Sequence, residues 1–139
     1  MQILGNGIGV PFRKGGGAAA ILPFIIIVDT SKASGDDFTL PIDNVTQDGE
    51  IDWGDSSTSV LSYANRAHTY SSGGIYTITI TGTILKGFNF GGAGDYLKIT
   101  TISQWGFLDI TSGSNAFKNC ANLTITATDA PTISATTFY

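Results

Sequence analysis

The chain has 139 residues, which is enough for one domain with a buried core. Only 13% of the residues are charged, and the formal net charge is −4. Thr, Ser, Gly and Ile take the place of charged residues, and this mixture favours strands and turns over helices. Because the few basic residues are scattered, the composition argues against a nucleic-acid partner, which requires a clustered Lys/Arg surface. The single cysteine, Cys120, excludes a disulfide within the chain.

The first 20 residues form a Gly-rich arm with isolated apolar side chains, which are too few to build a core. Such a segment is either a disordered tail or an attachment peptide that becomes ordered on a neighbouring subunit. We favour the attachment peptide. The apolar residues that would anchor it are Ile3, Leu4, Ile8, Val10 and Phe12.

An apolar run over residues 18–28 follows Arg13 and Lys14, and this order is also found in signal peptides. The run is too short to span a bilayer, so no membrane partner is expected. Its last residues, 24–28, are rich in isoleucine and end at Asp29, which is typical of a buried strand. We therefore expect the segment to be part of the folded protein and not a cleaved leader.

Short strand patterns follow at close intervals, and no segment before residue 112 shows a helical period. The alternation is clearest over residues 76–81, where apolar side chains should face inward and threonines outward. The glycines between residues 91 and 94 predict a hairpin connection. We predict strands at residues 21–28, 37–42, 50–53, 76–81, 84–90 and 96–102. The pattern predicts an all-β fold built as a sandwich of short strands.

Three motifs in the middle of the chain occur in a characteristic order: Asp52-Trp53-Gly54-Asp55, then His68-Thr69-Tyr70, then a glycine and the alternating strand that begins at Tyr76. This order resembles the signature of PKD domains. The resemblance implies an immunoglobulin-like β-sandwich over residues 21–95. Ser56 stands where the family usually has a second turn glycine, a departure that concerns the turn and not the sandwich.

A second resemblance involves the segment Ala116-Phe117-Lys118-Asn119-Cys120-Ala121-Asn122-Leu123, which is similar to BspA-type leucine-rich surface repeats. In those proteins the unit recurs with a period of about twenty-odd residues. The spacing by three places Phe117, Cys120 and Leu123 on one face of a short helical turn, with Cys120 as a small buried apolar residue. The resemblance implies a repeat-like C-terminal segment over residues 96–139.

Only one repeat of this kind is complete, and a solenoid repeat buries its apolar face by stacking on its neighbours. The C-terminal end is therefore expected to be uncapped and to contact another chain. The partner-binding residues predicted there are Ile133, Phe138 and Tyr139.

No combination of residues predicts an active site. Cys120 and His68 are the only residues of their types, and the two resemblances place them in different units. A buried structural cysteine is normally inert. One histidine and one cysteine also argue against a zinc site. We therefore predict that the chain is not an enzyme and uses no cofactor.

Four carboxylates near the first motif are candidates for calcium binding. Asp48, Glu50 and Asp52 alternate along one strand and share a face, with Asp55 just beyond. Hard oxygen ligands at this density could hold Ca²⁺, although the spacing differs from that of an EF-hand. A solvated strand face has the same pattern, so no metal site is assigned.

Three functions remain. Domains similar to PKD and BspA repeats normally face the outside of a cell or particle, which favours a bacteriophage virion protein such as a capsid decoration, spike, or head or tail fibre subunit. Its arm would bind other virion subunits, the chain would form a homo-oligomer, and exposed loops would contact a host surface glycan or protein. The first alternative is a bacterial cell-surface adhesin module.

The second alternative is a carbohydrate-binding accessory module. Exposed aromatic rings can stack on sugars, and Tyr63, Phe88 and Phe90 are the candidates. Core packing is the expected role of each of these rings.

Overall fold

The computed structural model describes residues 20–135, which form ten β-strands and one short 3-10 turn at Thr30–Lys32. The strands are β1 (Phe24–Asp29), β2 (Asp37–Thr39), β3 (Asp48–Asp52), β4 (Thr58–Val60), β5 (Ala67–Thr69), β6 (Ile75–Gly87), β7 (Ile99–Gln104), β8 (Leu108–Ile110), β9 (Thr124–Ile125) and β10 (Thr132–Ile133). The predicted all-β class is confirmed. Within residues 20–135, no helix is long and apolar enough to cross a membrane.

Eight of the strands form one mixed sheet in the order β9-β7-β1-β6-β8-β10, and β3 and β4 extend it from β6. Strand β1 lies between β6 and β7 and is antiparallel to both. Strands β2 and β5 form a separate antiparallel pair. Phe38 of this pair is fully buried in the same core as Phe24 and Ile26 of β1, so the two sheets share one apolar interior.

Strand β6 has 13 residues and contacts three different strands along its length. Its first half pairs with β1, its middle with β3 and its last residues with β8. Ile78 and Ile80 are fully buried, whereas Thr77 and Thr81 are exposed, so the predicted alternation over residues 76–81 is confirmed.

Strands β3 and β6 approach each other closely at a pair of glycines. A Cβ on Gly49 would lie 2.0 Å from the carbonyl oxygen of Thr81, and one on Gly82 would lie 2.1 Å from that of Asp48. Both glycines have positive φ values, 156° and 147°. The pairing register shifts between Asp48 and Gly49, as in a β-bulge. Only glycine fits at these two positions.

The predicted hairpin around the glycines of residues 91–94 is wrong. Residues 76–81 and 84–87 belong to one continuous strand, and β7 pairs with β1 and β9. The loop after β6 instead bonds to a later part of the chain, because the amides of Phe90 and Gly91 donate to the carbonyls of Ala116 and Asn115. Because of these bonds, the loop after β6 packs against residues 115 and 116 and does not form a hairpin with β6.

From the end of β6 onward the strands stack in parallel layers. Strand β8 pairs with β6, β9 with β7, and β10 with β8. Leu85 lies opposite Leu108, and Thr101 lies opposite Thr124. In all three pairings the opposed residues are 23 positions apart in the sequence. Strands β9 and β10, which we call the last layer, are the two ends of the sheet order, and among the described residues each pairs with one strand only.

Aromatic side chains fill the junction between β1 and the layered strands. The ring of Phe88 lies 4.9 Å from that of Phe24 and 5.8 Å from that of Phe117, and Trp105 lies 5.9 Å from Phe117. Phe88 is fully buried, and its φ of 63° is one of few positive values outside glycine. Phe117, Cys120 and Leu123 all pack against this core, as the spacing by three predicted, but Cys120 is partly buried and not fully buried.

Candidate interaction surfaces

The residues of the first motif meet in one aromatic stack. The ring of His68 lies parallel to Trp53 at 4.9 Å and edge-on to Tyr70 at 4.7 Å, and Tyr70 stacks on Tyr76 at 3.7 Å. The hydroxyl of Tyr70 donates to the carbonyl oxygen of Trp53 at 2.9 Å. Burial raises the pKa of Tyr70 well above its usual value. The stack is therefore a packed structural element in which the Tyr70 hydroxyl has its partner.

Ser57, His68 and Asp55 lie together beside this stack, but not in the arrangement of a catalytic triad. His68 Nε2 is 2.8 Å from Asp55 Oδ2 and 3.4 Å from Ser57 Oγ. A triad needs the carboxylate and the nucleophile on opposite ring nitrogens. Here both contact Nε2, and the Ser57 hydroxyl donates to Asp55 at 2.5 Å.

The same contacts explain the electrostatics of the turn. The hydrogen bond from Ser57, followed by the one from His68, lowers the pKa of Asp55 to about 2. Asp55 also accepts from the backbone amide of Ser57 at 3.1 Å. The carboxylate thus holds the turn after β3 in place, and Ser57 is not activated as a nucleophile.

Cys120 is in a different environment. It packs in the layered segment, where burial raises the pKa of its thiol. The described contacts of His68 are with the motif residues Trp53, Tyr70, Asp55 and Ser57. No nucleophile–base pair is therefore formed between Cys120 and His68 in the part of the chain that is described.

The four calcium candidates do not converge. Asp48, Glu50 and Asp52 share the exposed face of β3, but each is engaged locally or faces solvent. The Asp48 carboxylate accepts from the hydroxyl of Thr83, and Asp52 accepts from the Gly54 amide at 2.9 Å. Residues 20–135 contain no group of three or more side chains placed to hold a metal ion.

The two end strands of the sheet, β9 and β10, each have one edge without a pairing strand among residues 20–135. Ile125 of β9 and Ile133 of β10 are each about half exposed, at 52% and 53%. The only charged residue between positions 119 and 135 is Asp129. Its carboxylate accepts from the backbone amides of Trp105 at 3.0 Å and Gly106 at 2.7 Å. Exposed strand edges are normally protected by charged side chains, and β9 and β10 carry none.

Ile133, one of the predicted partner-binding residues, is half exposed on β10, and its contact with a partner stays a prediction. The remaining residues of that prediction lie outside the described residues: Ile3, Leu4, Ile8, Val10, Phe12, Phe138 and Tyr139. The sequence analysis did not single out Ile125. Ile125 lies 23 residues after Ile102 and pairs with it, so the two occupy equivalent positions in successive layers. This spacing is the signal that could have identified Ile125 as a residue of the end strand.

A groove of about 340 Å³ lies on another face, between the segment after β2 and the loop before β7. The guanidinium of Arg66 stacks 3.8 Å from the ring centre of Tyr63 on one side of it. Asp43, Asp95 and Asn89 also line the groove. Of the three aromatic residues considered for sugar stacking, Phe88 and Phe90 are buried in the core and Tyr63 is partly exposed.

A fully buried lysine supports one wall of this groove. The ammonium of Lys98 lies 3.1 Å from Asp95 Oδ1 and donates to the carbonyl oxygen of Asp37 at 2.7 Å. The second oxygen of Asp95 accepts from the Thr39 amide at 2.8 Å. Nothing in the sequence indicated this role, because lysine is rarely buried and its two partners lie on different segments.

Comparison with known proteins does not assign the chain to a family: no family model matches it, and neither a curated protein nor a solved structure gives a significant match. The resemblances to PKD domains and BspA-type repeats therefore stay predictions.

Proposed function

We propose that this chain is a non-enzymatic structural subunit of a bacteriophage virion, such as a fibre, spike or decoration protein, that assembles through its last layer of strands. One observation carries the proposal: β9 and β10, the two end strands of the sheet order, carry no charged side chain and one half-exposed isoleucine each, and among residues 20–135 each pairs with one strand only. Unpaired amides and carbonyls on such an edge are a template for another chain. An edge of this kind suits a subunit of an assembly.

The partner on this edge is a second copy of the chain. The edge carries no charged side chain of either sign, so two copies can meet there without repulsion between like charges, although each chain has a net charge of −4. Closed symmetry is the usual outcome when a surface pairs with itself. The proposed assembly is therefore a homo-oligomer whose contacts include Ile125 and Ile133.

Two further observations support an exterior module. The residues that resemble a PKD signature pack into one stack, and the 23-residue spacing of parallel partners agrees with the period of about twenty-odd residues in BspA-type repeats. Both kinds of unit normally face the outside of a particle or cell. We therefore propose an immunoglobulin-like sandwich followed by a repeat-like C-terminal segment. The Gly-rich arm provides a second anchor.

The edge is tested by measuring the mass of the full chain in solution. We expect an oligomer for the natural sequence and a folded monomer for the double variant Ile125→Lys and Ile133→Lys, because charged edges resist pairing. Val60→Lys is the matched control, since Val60 is 69% exposed on edge strand β4, away from the last layer. A natural chain that is monomeric at micromolar concentration, or a control that dissociates equally, would show that this edge is not the contact.

The virion location needs a separate measurement. Particles purified by density gradient from a culture that produces the protein should contain the chain at a fixed ratio to the major capsid protein, as judged by quantitative mass spectrometry. Finding it instead in the cell-surface fraction, and not in particles, would exclude the virion proposal and favour the adhesin.

A further inference from the structure

We infer that the groove beside Arg66 binds a single neutral sugar ring, a site independent of the assembly edge. Its volume of about 340 Å³ is at the lower end of the range for small-molecule sites, which is about 300–1,000 Å³. The groove thus has the size for one ring of a glycan and not for a folded partner.

The base of the groove is apolar and rigid. Leu40 is fully buried, and Ile42 and Phe90 are 5% and 6% exposed. All three belong to the main core, so the base cannot collapse when the groove is empty of solute. Ile42 and Phe90 expose a small apolar area that can contact the C–H face of a pyranose ring, whereas Leu40 exposes none.

The walls carry hydrogen-bonding groups of both kinds. Arg66 uses one guanidinium nitrogen to donate to the carbonyl oxygen of Tyr63 at 2.8 Å, and its planar fork has further N–H donors. Asp43 and Asp95 supply carboxylate acceptors. A ligand with several adjacent hydroxyls can accept from the arginine and donate to the carboxylates, and sugars have this chemistry.

The carboxylates are held in fixed orientations before any ligand binds. Asp95 is anchored by Lys98 and by the Thr39 amide, and Asp43 accepts from the Thr111 hydroxyl at 2.5 Å. Polar groups that are already oriented lose little conformational entropy on binding. A carboxylate can accept several hydrogen bonds, so each keeps acceptor capacity for a ligand hydroxyl.

Asn89 adds an acceptor that lacks a donor. Among residues 20–135, its Oδ1 is a buried side-chain oxygen without a hydrogen-bond partner, while its Nδ2 donates to Ser112 Oγ at 3.1 Å. A buried acceptor in this state lowers stability until a donor reaches it. Asn89 lines the groove, so a ligand hydroxyl becomes a donor for this oxygen if the buried side-chain amide turns toward the groove.

The charge of the groove selects a neutral ring. Two carboxylates and one guanidinium line it, so a sialic or uronic acid would bring its own carboxylate close to Asp43 and Asp95. A neutral hexose or N-acetylhexosamine avoids this repulsion and still uses the groove-lining groups of Arg66, Asp43 and Asp95.

The test is titration of the ¹⁵N-labelled full chain with glucose, galactose, mannose and N-acetylglucosamine, followed by amide chemical shifts. A single ring in a site of this size is expected to bind with a Kd on the order of 1–10 mM. We expect at least one of these sugars to saturate the shifts of the groove residues and leave those of β9 and β10 unchanged.

Two variants assign the site, and one serves as control. Arg66→Met keeps the apolar stem over Tyr63 and removes the donors, which should weaken binding at least about tenfold. Ala93→Phe, at an exposed position in the groove wall, should abolish binding by filling the space. Lys32→Met removes an exposed positive charge outside the groove and should leave the affinity unchanged.

The inference is overturned if none of the four sugars saturates by about 50 mM, since that limit lies above the expected Kd range. It is overturned as well if the shifts map to another face, if glucuronate or a peptide binds in the groove in place of neutral sugars, or if both groove variants bind as well as Lys32→Met. Because the oligomer contact is elsewhere, none of these results bears on the assembly proposal.

Discussion

Replacing Lys98 by methionine tests whether the buried ammonium organises the chain around the groove. The lysine side chain is 0% exposed, and its partners Asp95 and Asp37 are 15% and 46% exposed. Removing one member of a buried ion pair costs about 3–5 kcal/mol, because the other charge is left unpaired, whereas an exposed pair contributes about 0–1 kcal/mol. Since neither aspartate is fully buried, we expect a loss near the lower limit, about 3 kcal/mol.

The assay is urea unfolding followed by the fluorescence of Trp53 and Trp105, which are 0% and 8% exposed. With a slope of about 1.5 kcal/mol per molar urea, a loss of about 3 kcal/mol lowers the midpoint by about 2 M. Lys86→Met is the matched control. The Lys86 side chain is 44% exposed and pairs with Asp109 at 3.1 Å, so its loss should cost about 0.5 kcal/mol.

A double variant separates charge from packing. Adding Asp95→Asn to Lys98→Met removes the carboxylate that was left without its cation, so the double variant should be more stable than Lys98→Met alone. If Lys98→Met is no less stable than Lys86→Met, or if the double variant shows no recovery, the ion cluster does not stabilise the fold in this way.

Three other predictions concern the sheet and the motif. Gly49→Ala should lower the free energy of unfolding by more than about 3 kcal/mol, because its Cβ would overlap the backbone of β6. Gly94→Ala, with no atom within 4 Å of its Cβ, should lower it by about 1 kcal/mol. Equal losses for the two variants in chemical denaturation would contradict the close approach of β3 and β6. Tyr70→Phe should lose about 1 kcal/mol at neutral pH with its hydrogen bond to Trp53. Burial raises the folded-state pKa of Tyr70, so the stability of the natural chain should fall as the pH rises above about 10. The same measurements on Tyr70→Phe should show a smaller fall. Identical stability curves for the two proteins at alkaline pH would be inconsistent with a buried phenol. The pKa of Asp55 is lowered in the folded state, so its carboxylate stabilises the fold above about pH 4, and this contribution disappears as the pH falls toward 2. The stability of Asp55→Asn should therefore depend less steeply on pH in that range. An unchanged pH dependence of stability between about pH 4 and 2 would rule out the contribution.

Periodicity in the sequence was sufficient to predict the fold class and the inward face of β6. It was not sufficient to predict the extent of this strand, because Gly82 and Thr83 interrupt the alternation at the bulge with β3. Strands such as β9 and β10 have only two residues each and contain no period of their own. These short strands form because β7 and β8 provide backbone hydrogen-bonding partners for them, and this pairing depends on the tertiary fold and not on local sequence.

Local motifs identified residues of one structural element but not the contacts between them. Trp53, His68, Tyr70 and Tyr76 were singled out in the sequence as parts of one ordered motif, and the structure packs them into one stack, a contact that the sequence analysis did not predict. The groove could not be anticipated, because it joins segments more than fifty positions apart. Thr39 and Asp95, for example, are brought together by a hydrogen bond that no sequence pattern announces.

The constant spacing of the layered strands has a consequence for how such a chain can vary. Each layer needs only the edge of the layer before it, and the motif stack near Trp53 takes no part in that contact. Insertion of a further 23-residue unit would displace the terminal face outward by one strand spacing, about 4.8 Å, without disturbing the rest of the core. The reach of the molecule is thus adjustable in uniform steps, while the groove at the other face keeps its shape.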